Sequence, residues 1–554
     1  MLKAARSYEE ACRTFRWRIP DLYNLAFDVC DRQTMAGADG HRTALVVEGT
    51  DGSVERYTFH VLRLLSNRLA NVLTAAGVGD GDPVLIGLPA SVEAAIAVLA
   101  VTKMGAIAVP VPAGLGAEPV GWRLADCGAK AAVTTPDMAA AIVAAGRSIP
   151  HPPALVLAAG EAPTGSRDLW AILEQASDAF APAVTAPDHP AFLFYPPLAS
   201  ARTPGVLHAH RAVPGNLPAM EFALDFFAQS GDVLWSAYDW MSLEGLLWGI
   251  LPAWHHGVPV IAYPGGFDPE HALGLMARHG VRAALLPPHE MAELAAVAGN
   301  RPHHMPRALA TGPLPLDEAA SAAVERCFGV TANQIWGLPE TGALAANNPR
   351  LLERMPGSPG RALPGMTVEA IDPQQGRVLN AGESGILAAA EGLPGGFLGY
   401  WPKGDGGRHL TNGWLSSGWP GLRDLDGYLW PSPPPPPPRG AFDLGGRRIV
   451  LAEVEAALAA HPRVSEAVIL THIPGEMRAF VAPAPGIAGD DALSADLRGW
   501  IAARRAVYEV PHRIEYVDRL PRAEDGSIDR KALARRPMRL DAPFAGDRLP
   551  STKR

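Results

Sequence analysis

Residues 82–112, DPVLIGLPASVEAAIAVLAVTKMGAIAVPVP, alternate strand-like and helix-like segments and carry the clearest fold signal of the chain. DPVLIGLP predicts a buried strand, SVEAAIAVLAVTKMG predicts a helix, and the β-branched AIAVPVP predicts a second strand. A helix-like run from Thr58 to Ala76 precedes this unit. Alternation of this kind, with short Gly/Pro turns, favours parallel sheets whose faces are covered by helices.

Similar units recur further along the chain. Four short apolar runs, DVLWSAYD, VPVIAYP, VRAALLPP and RALATGP, are each followed by a helix-like segment. No repeat of fixed period accompanies them, which excludes a solenoid. The sequence therefore predicts an α/β fold with a large N-terminal domain of mostly parallel, helix-covered sheets.

The sharpest change of composition follows Trp430, where six consecutive prolines run from Pro433 to Pro438. Six prolines in polyproline II span roughly 19 Å and form a semi-rigid spacer. Beyond them, RRIVLAEVEAALAAHPRVSEAVIL predicts strand, helix and strand, and RAFVAP with ADLRGWIAARRAV adds a strand and a helix of a small α+β domain. We therefore predict an N-terminal domain over 1–430, a proline-rich hinge over 431–445, a small C-terminal domain over 446–536 and a loose tail over 537–554.

Composition excludes several classes of protein. A chain of 554 residues exceeds one typical core, so two or more domains are expected. The net charge of −9 and the lack of a Lys/Arg cluster argue against a nucleic-acid partner. The N-terminus has no apolar signal region, and Lys103, Gly105 and Pro110 interrupt the longest apolar stretch before it reaches the roughly 20 residues of a spanning helix. We therefore expect a cytoplasmic protein without a membrane span.

The cysteines support the same compartment. Cys12, Cys30, Cys127 and Cys327 are widely spaced and fit neither a metal-binding pattern nor a disulfide framework. Reduced, mostly buried thiols are expected, as in other proteins of the reducing cytoplasm.

Four longer segments carry a family resemblance. They are FRWRIPDLYNLAFDVCDR near the start, LADCGAKAAVTT, DVLWSAYDWMSLEGLLWGILPAWHHGVPV at 232–260 and PGSPGRALPGMTVEAID at 356–372. Together they resemble the acetyl- and medium-chain acyl-CoA synthetase branch of the adenylate-forming superfamily. The resemblance implies a large N-terminal domain, a hinge and a small C-terminal domain that rotates between two half-reactions. In the family, a carboxylate, ATP and Mg²⁺ give an acyl-adenylate, and CoA then takes the acyl group.

Residues 195–205, YPPLASARTPG, stand where the family has its phosphate loop. Such a loop needs free backbone N–H groups, glycines and usually a lysine. Prolines at 196, 197 and 204 remove three donors. Of the family's hydroxyl, glycine and lysine positions, only Ser200 and the closing Gly205 remain.

The adenine contacts implied by the resemblance are altered too. TGPLPL places Leu314 at the family's glutamate, although Gly312 is retained. WGLPE matches the Tyr-Gly-x-Thr-Glu motif, in which the tyrosine would stack on adenine. Trp336 stands at that tyrosine, Gly337 is retained, and Pro339 stands at the threonine. Tryptophan can stack, whereas proline offers no hydroxyl.

Two readings remain open for the acid of this motif. Glu340 matches the family's Mg²⁺ ligand, and beside Thr341 it also fits a carboxylate at the start of a helix.

The ribose and lysine positions are replaced as well. Ser417 and Trp419 match the Thr-Gly-Asp motif, so an indole replaces the aspartate that would accept both ribose hydroxyls, and we expect Trp419 to fill the nucleoside site itself. Ser527 stands at the adenylation lysine, and the hinge aspartate has no counterpart in the proline run. A hydroxyl cannot stabilise developing negative charge as an ammonium does.

These replacements favour a pseudoenzyme. Losing one preorganised donor costs roughly a hundred- to a thousand-fold in rate, and residues that act as a unit fail as a unit. The first reading is therefore a non-catalytic binding or scaffolding subunit with no intact catalytic residue. Its partner would be an active synthetase or an acyl-CoA enzyme, and its ligand an acyl-CoA or a carboxylate.

Two alternatives stay open. The first is a divergent but active synthetase that uses Mg²⁺, ATP and CoA at a rebuilt nucleotide site containing Trp336, Glu340, Ser417 and Arg423. The second is thioester hydrolysis in the old acyl pocket, for which the sequence offers five bases, His208, His210, His255, His256 and His289.

The resemblance also places an acyl pocket. It implies that Tyr238, Trp240, Met241 and Gly245 lie near the acyl chain.

Overall fold

The computed structural model describes residues 2–35, 39–195, 203–299, 305–402, 410–432, 441–444, 447–473, 476–522 and 528–535. Within these ranges the α-helices are α1 Tyr8–Thr14, α2 Leu25–Val29, α3 Phe59–Ala75, α4 Val92–Lys103, α5 Ala117–Cys127, α6 Pro136–Gly146, α7 Leu169–Leu173, α8 Ala212–Ala223, α9 Leu251–His255, α10 Pro269–Arg278, α11 Pro288–Ala298, α12 Glu318–Phe328, α13 Leu451–Ala459, α14 Asp491–Arg504 and α15 Arg530–Ala534. Short 3₁₀ turns span Asp31–Thr34 and Val507–Glu509, and a π-helix spans Glu244–Ile250.

The strands in the same ranges are β1 Thr43–Glu48, β2 Val54–Thr58, β3 Pro83–Gly87, β4 Ile107–Pro110, β5 Ala131–Thr134, β6 Leu155–Ala158, β7 Arg167–Asp168, β8 Pro190–Phe194, β9 Gly205–Ala209, β10 Leu234–Ser236, β11 Val260–Ala262, β12 Ala283–Leu285, β13 Ala308–Thr311, β14 Ala332–Leu338, β15 Gly342–Ala346, β16 Arg361–Ala362, β17 Val368–Ile371, β18 Gly385–Ala390, β19 Gly399–Trp401, β20 Leu410–Thr411, β21 Trp414–Arg423, β22 Leu429–Pro431, β23 Ala441–Leu444, β24 Arg447–Val450, β25 Val464–Ile473, β26 Glu476–Pro483 and β27 Arg513–Tyr516.

Two mostly parallel sheets form the large domain. One has the order β16-β15-β14-β13-β12-β10-β11-β1-β2, and the other has the order β19-β9-β8-β4-β3-β5-β6-β7. Strands β10 to β14 pair in parallel in the first sheet, and β3 to β8 do so in the second. A third, antiparallel sheet contains β17, β18, β20, β21 and β22. The predicted α/β fold class is confirmed.

The β3–α4–β4 unit forms where the sequence predicts it. Ser91 caps α4 by accepting a hydrogen bond from the Ala94 N–H at 3.2 Å. Val84 of β3 packs in one apolar cluster and the adjacent Leu85 in another, so both faces of the sheet are covered. Burial on both faces is typical of parallel sheets and explains the unbroken apolar run of β3.

The small domain also follows the prediction. β24, α13 and β25 succeed one another, and β26 and α14 follow. Val454, Leu458, Ile469, Leu497 and Ile501 share one apolar cluster. The predicted hinge prolines 433–438 and the tail beyond 536 lie outside the described residues, so the domain boundary stays a prediction.

Searched over the described ranges, no helix has the length and apolar character needed to cross a membrane. All four cysteines lie within those ranges and carry free thiols, and Cys30, Cys127 and Cys327 are buried. The expectation of unpaired cysteines is therefore confirmed.

A buried ion pair fixes the end of α4. The Lys103 ammonium is fully buried and lies 2.8 Å from a carboxylate oxygen of Asp31. It also donates to Ser66 Oγ at 2.9 Å and to Asn67 Oδ1 at 2.8 Å. Burial raises the pKa of Asp31, whereas the neighbouring Lys103 lowers it. The buried ammonium is thus held by two hydrogen bonds and one ion pair.

We predict that Lys103→Met destabilises the protein by about 3–5 kcal/mol, because it leaves the Asp31 carboxylate buried and unpaired. The measurement is the free energy of unfolding from urea denaturation. Arg463→Met is the matched control, since Arg463 pairs with Asp496 at 3.3 Å on the surface and exposed pairs contribute less than about 1 kcal/mol. Equal losses in the two variants would contradict this role of Lys103.

Candidate nucleotide and acyl site

The hairpin of β8 and β9 supplies the frame for the predicted phosphate loop. The two strands pair antiparallel, and β9 also pairs with β19. A Cβ on Gly205 would lie 2.5 Å from Leu193 Cδ1, so a larger residue there would have to displace the Leu193 side chain of β8. Ser200 and the prolines at 196 and 197 lie outside the described residues, so the loss of phosphate binding there stays a prediction.

Tyr195, the residue before that loop, is bound to helix α5. Its hydroxyl donates to Asp126 Oδ2 at 2.6 Å. The Arg123 guanidinium lies 5.4 Å from the centre of the same ring, and Trp122 meets it edge-on at 5.3 Å. Burial, followed by Cys127 and Asp126, raises the pKa of Tyr195, so the hydroxyl stays protonated and remains a donor.

Gly312 and Tyr238 meet at the end of β13. The Tyr238 hydroxyl accepts from the Gly312 N–H at 3.0 Å, and carbonyl oxygens of Leu286 and Gly312 lie within its donating reach. A Cβ on Gly312, whose φ is +157°, would lie 2.0 Å from the Ile335 carbonyl oxygen. The structure therefore joins a predicted acyl-pocket residue to a predicted adenine-segment residue.

Trp336 lies in the protein interior. Its side chain is 2% exposed and packs in a cluster with Leu344, Val368 and Leu387. The neighbouring Gly337 allows β15 to approach, since its Cβ would lie 2.1 Å from the Gly342 carbonyl oxygen. The stacking of Trp336 on adenine stays a prediction, and in this conformation the indole belongs to the core.

Ser417 and Trp419 use their polar groups locally. The Ser417 hydroxyl accepts from the Trp419 N–H at 2.9 Å and donates to the Leu387 carbonyl. The Trp419 indole N–H donates to the Ser432 carbonyl at 2.7 Å, and its ring packs against the cluster that contains Trp336. The Ser417 hydroxyl and the Trp419 indole N–H therefore both have partners within the protein, and the match of these residues to the family's ribose motif stays a prediction.

Glu340 lies in the turn between β14 and β15. The reading as a helix-start carboxylate is wrong, because residues 339–341 connect two antiparallel strands and no helix begins there. Its Oε1 accepts from the Tyr400 hydroxyl at 3.0 Å, and burial together with Glu340 raises the pKa of Tyr400. In the described part of the chain, no group of three or more His, Cys, Asp and Glu side chains could hold a metal ion. Mg²⁺ binding by Glu340 stays a prediction.

The predicted acyl-pocket residues lie together between β10 and α9. Trp240 and Met241 are 2% and 3% exposed, and Trp240 meets Trp254 edge-on. Gly245 lies in the π-helix, where its Cβ would be 2.2 Å from the Asp239 carbonyl oxygen. Tyr238, in the same segment, is also buried.

Sequence analysis missed Glu244 of the same segment. Burial raises the pKa of its carboxyl, and the pKa of Tyr238 is raised first by burial and then by Glu244. An acid among the mostly apolar residues of DWMSLEGLLWG was the signal available for it. This segment therefore places a carboxyl group near Tyr238, one of the predicted acyl-pocket residues.

The five candidate histidines do not form one catalytic group. His208 contacts the Pro339 carbonyl through Nε2 at 2.7 Å, and His210 Nδ1 accepts from the Leu25 N–H at 3.0 Å. His255 pairs with Asp28 and His256 with Glu221, whereas His289 lies near Glu290 in α11. Burial lowers the pKa of His208 to about 4 and that of His210 to about 3, so both are neutral near pH 7. Ser527 lies outside the described residues.

The pKa of His208 makes stability depend on pH. An unfolded histidine titrates near 6.5, whereas folded His208 titrates near 4. Between these values the unfolded chain binds one more proton, so the free energy of unfolding falls as pH falls. We predict that, between pH 7 and pH 4, the natural protein loses about 3 kcal/mol more stability than His208→Gln, whose amide can still donate to Pro339. Urea denaturation at several pH values measures the difference, and parallel curves would contradict it.

Two protein-family models match this chain, one over the large domain and one over the small domain. Residues 33–401 match the model of the AMP-binding enzyme family, and residues 453–526 match that of the AMP-binding enzyme C-terminal domain. The chain belongs to the AMP-binding enzyme family. Within it, the chain is an acyl-CoA synthetase-like member of the adenylate-forming superfamily, as the sequence resemblance implied.

Named relatives support the branch. The chain is 28% identical to an acetyl-coenzyme A synthetase of Bacillus subtilis, with 97% of this chain and 96% of the relative covered. It is 26% identical to an acetyl-coenzyme A synthetase of Escherichia coli, with 94% and 84% covered. The crystal structure of a Brucella canis acyl-CoA synthetase superposes with a TM-score of 0.69 at 26% identity, covering 96% of this chain and 98% of that one.

Proposed function

We propose that this chain has lost ATP-dependent adenylation and acts as a non-catalytic binding or scaffolding subunit built on the synthetase fold. The observation that carries the proposal is the position of Trp419. The family resemblance places a ribose-binding aspartate there, and the indole N–H of this chain is already bonded to Ser432 at 2.7 Å. An indole accepts no hydrogen bond, so it cannot replace a carboxylate that binds two hydroxyls.

Packing around Trp419 supports the proposal. The ring adjoins the apolar cluster of Trp336, Leu387 and Leu429. The Ser417 hydroxyl, the remaining polar group of the motif, is used by the backbone of Leu387 and Trp419. A nucleoside at this position would have to displace buried apolar contacts and break these hydrogen bonds.

The other replaced positions act on the same reaction. Leu314, Ser527 and the prolines of 196–204 stand where the family resemblance expects charge or hydrogen-bond donors. Each such loss costs roughly 2.7–4 kcal/mol of transition-state stabilisation, although the losses are not additive. Even a heavily discounted sum removes most of the rate enhancement that adenylation requires.

Retained features support a binding role. Gly312 and Gly337 still permit close backbone contacts and Gly205 still packs against the Leu193 side chain, so on this proposal the frame of the site is preserved while its polar groups are not. We propose an active synthetase or another acyl-CoA enzyme as the partner, and an acyl-CoA or a carboxylate as the ligand. We also propose that 1–430 and 446–536 act as two domains joined by the proline-rich segment 431–445.

ATP–pyrophosphate exchange with a panel of short and medium carboxylates tests the loss of adenylation. We expect exchange at least a thousand-fold below that of the Bacillus subtilis relative assayed in parallel, because several charge-stabilising groups are missing together. Exchange at ordinary rates that disappears in Glu340→Ala would favour the active alternative, in which Glu340, bonded to Tyr400, binds Mg²⁺.

Thermal shift tests which ligands are bound. We expect acetyl-CoA or a longer acyl-CoA to raise the melting temperature, while ATP with Mg²⁺ leaves it unchanged, because only ligands that bind the folded state stabilise it. Trp419→Ala serves as the comparison variant, since it opens the ribose position without restoring the carboxylate. A shift by ATP that is as large as the shift by acyl-CoA would overturn the proposed loss of nucleotide binding.

A further inference from the structure

A short β-type contact joins the two domains. The Val507 N–H donates to the Gly114 carbonyl at 3.1 Å. Next to this bond, Leu115 and Ala506 form an antiparallel β-bridge. We call the two segments 112–116 and 504–510 the latch. These backbone contacts can form only when the two segments lie side by side in this alignment, so they define one position of the small domain relative to the large domain.

Gly116 shows how closely the two segments approach. A Cβ at this position would lie 1.8 Å from the Arg505 carbonyl oxygen and 2.5 Å from its nitrogen. The φ of Gly116, −75°, is one that any residue adopts, so the backbone conformation does not require glycine here. The contact with Arg505 is therefore the structural reason for a glycine at the start of α5.

Arg505 carries the charge of the latch. It is 7% exposed and contacts both carboxylate oxygens of Glu509 at 3.0 Å. Glu453 lies 2.5 Å from the same guanidinium, and Glu118 of the large domain lies 3.9 Å away. The buried cation is thus compensated mainly within the small domain, with one carboxylate contributed across the contact.

Apolar packing continues across the latch. Ala506 of the small domain is 1% exposed and belongs to the apolar cluster of the large domain that contains Leu115, Leu124 and Tyr195. Tyr508 packs against that cluster and against the cluster of the small domain. Separating the domains would expose residues that now belong to a shared core.

Helix α5 connects the latch to Tyr195, the first residue of the predicted phosphate loop. The helix starts at the Gly116 contact, and its Arg123 lies over the ring of Tyr195. Burial lowers the pKa of Arg123, whereas Tyr508, Tyr195 and Glu509 raise it. Both domains therefore supply groups to the surroundings of one buried guanidinium.

We propose that the latch holds the small domain in one orientation on the large domain whether or not nucleotide and CoA are present. This inference rests on the proposed function, because a chain without adenylation does not need the rotation between half-reactions that the family resemblance implies. The molecule would then present a fixed composite surface formed by both domains.

Cysteine cross-linking tests the orientation directly. A Cβ on Gly114 would lie 3.9 Å from Val507 Cβ, within the range of about 3.5–4.5 Å found in disulfides. We expect Gly114→Cys/Val507→Cys to form the disulfide nearly completely under mild oxidation, at the same rate with or without ATP, Mg²⁺ and CoA. Each single variant is the control, because native Cys12 is partly exposed. Incomplete cross-linking, or a rate that changes several-fold with ligands, would overturn the latch.

Hydrogen exchange gives a second test that does not depend on cysteines. Gly116→Ala should raise exchange at the Val507 amide at least ten-fold, because the added methyl group collides with the Arg505 backbone. Exchange in β25 and β26 should stay unchanged, which shows that the small domain is still folded. Gly499→Ala is the matched control, since its Cβ would meet nothing within 4 Å. Unchanged exchange at Val507 in Gly116→Ala would contradict the latch.

The two proposals can fail separately. Adenylation activity with ligand-independent cross-linking would overturn the proposed function and leave the latch standing. Absent adenylation with ligand-dependent cross-linking would overturn the latch and leave the loss of catalysis standing.

Discussion

The hydrogen bonding and packing of helix α5 against the second sheet is the constraint on which the candidate site depends. Asp126 accepts the Tyr195 hydroxyl through its side chain and the Trp401 indole N–H through its carbonyl at 3.0 Å. These two residues flank the β8–β9–β19 edge, at which the predicted phosphate loop begins and β19 ends. One residue of α5 therefore holds both sides of the edge that frames the predicted nucleotide site.

Residues in this frame are constrained either by packing within the protein or by contact with a ligand, and the two groups of residues differ in this chain. Gly312 and Gly337, which the resemblance places at family positions, allow backbones to approach, and a Cβ on either would lie under 3 Å from a carbonyl oxygen. Side chains that the family resemblance places beside a nucleotide are predicted to be replaced, as at Trp419. A larger residue at one of these glycines would clash with its neighbours and destabilise the fold. Loss of a ligand-binding side chain, in contrast, destabilises the fold only when it leaves a buried polar group without a hydrogen-bond partner.

The helices and strands could be predicted from the sequence better than the long-range contacts between their residues. The β3–α4–β4 unit was predictable because burial on both faces leaves an apolar run and Ser91 provides a helix cap. The bond between Tyr238 and Gly312 was not, since it joins residues 74 positions apart and periodicity reports only which face is buried. One of the two readings of Glu340, the helix start, failed for a related reason, because an acid followed by Thr341 fits a helix start and a tight turn equally well. The contact of Gly116 with Arg505 gave no local signal at all.

The packing of Tyr508 against both domains affects the free energies of unfolding of the two domains. A domain with its own closed core has its own free energy of unfolding, whereas Tyr508 packs against the cores of both domains and Ala506 of the small domain belongs to the core of the large one. Unfolding either domain then exposes apolar surface that belongs to the other, so the two free energies are coupled rather than independent. A partner that binds and stabilises the small domain alone would, through this coupling, also stabilise the large one.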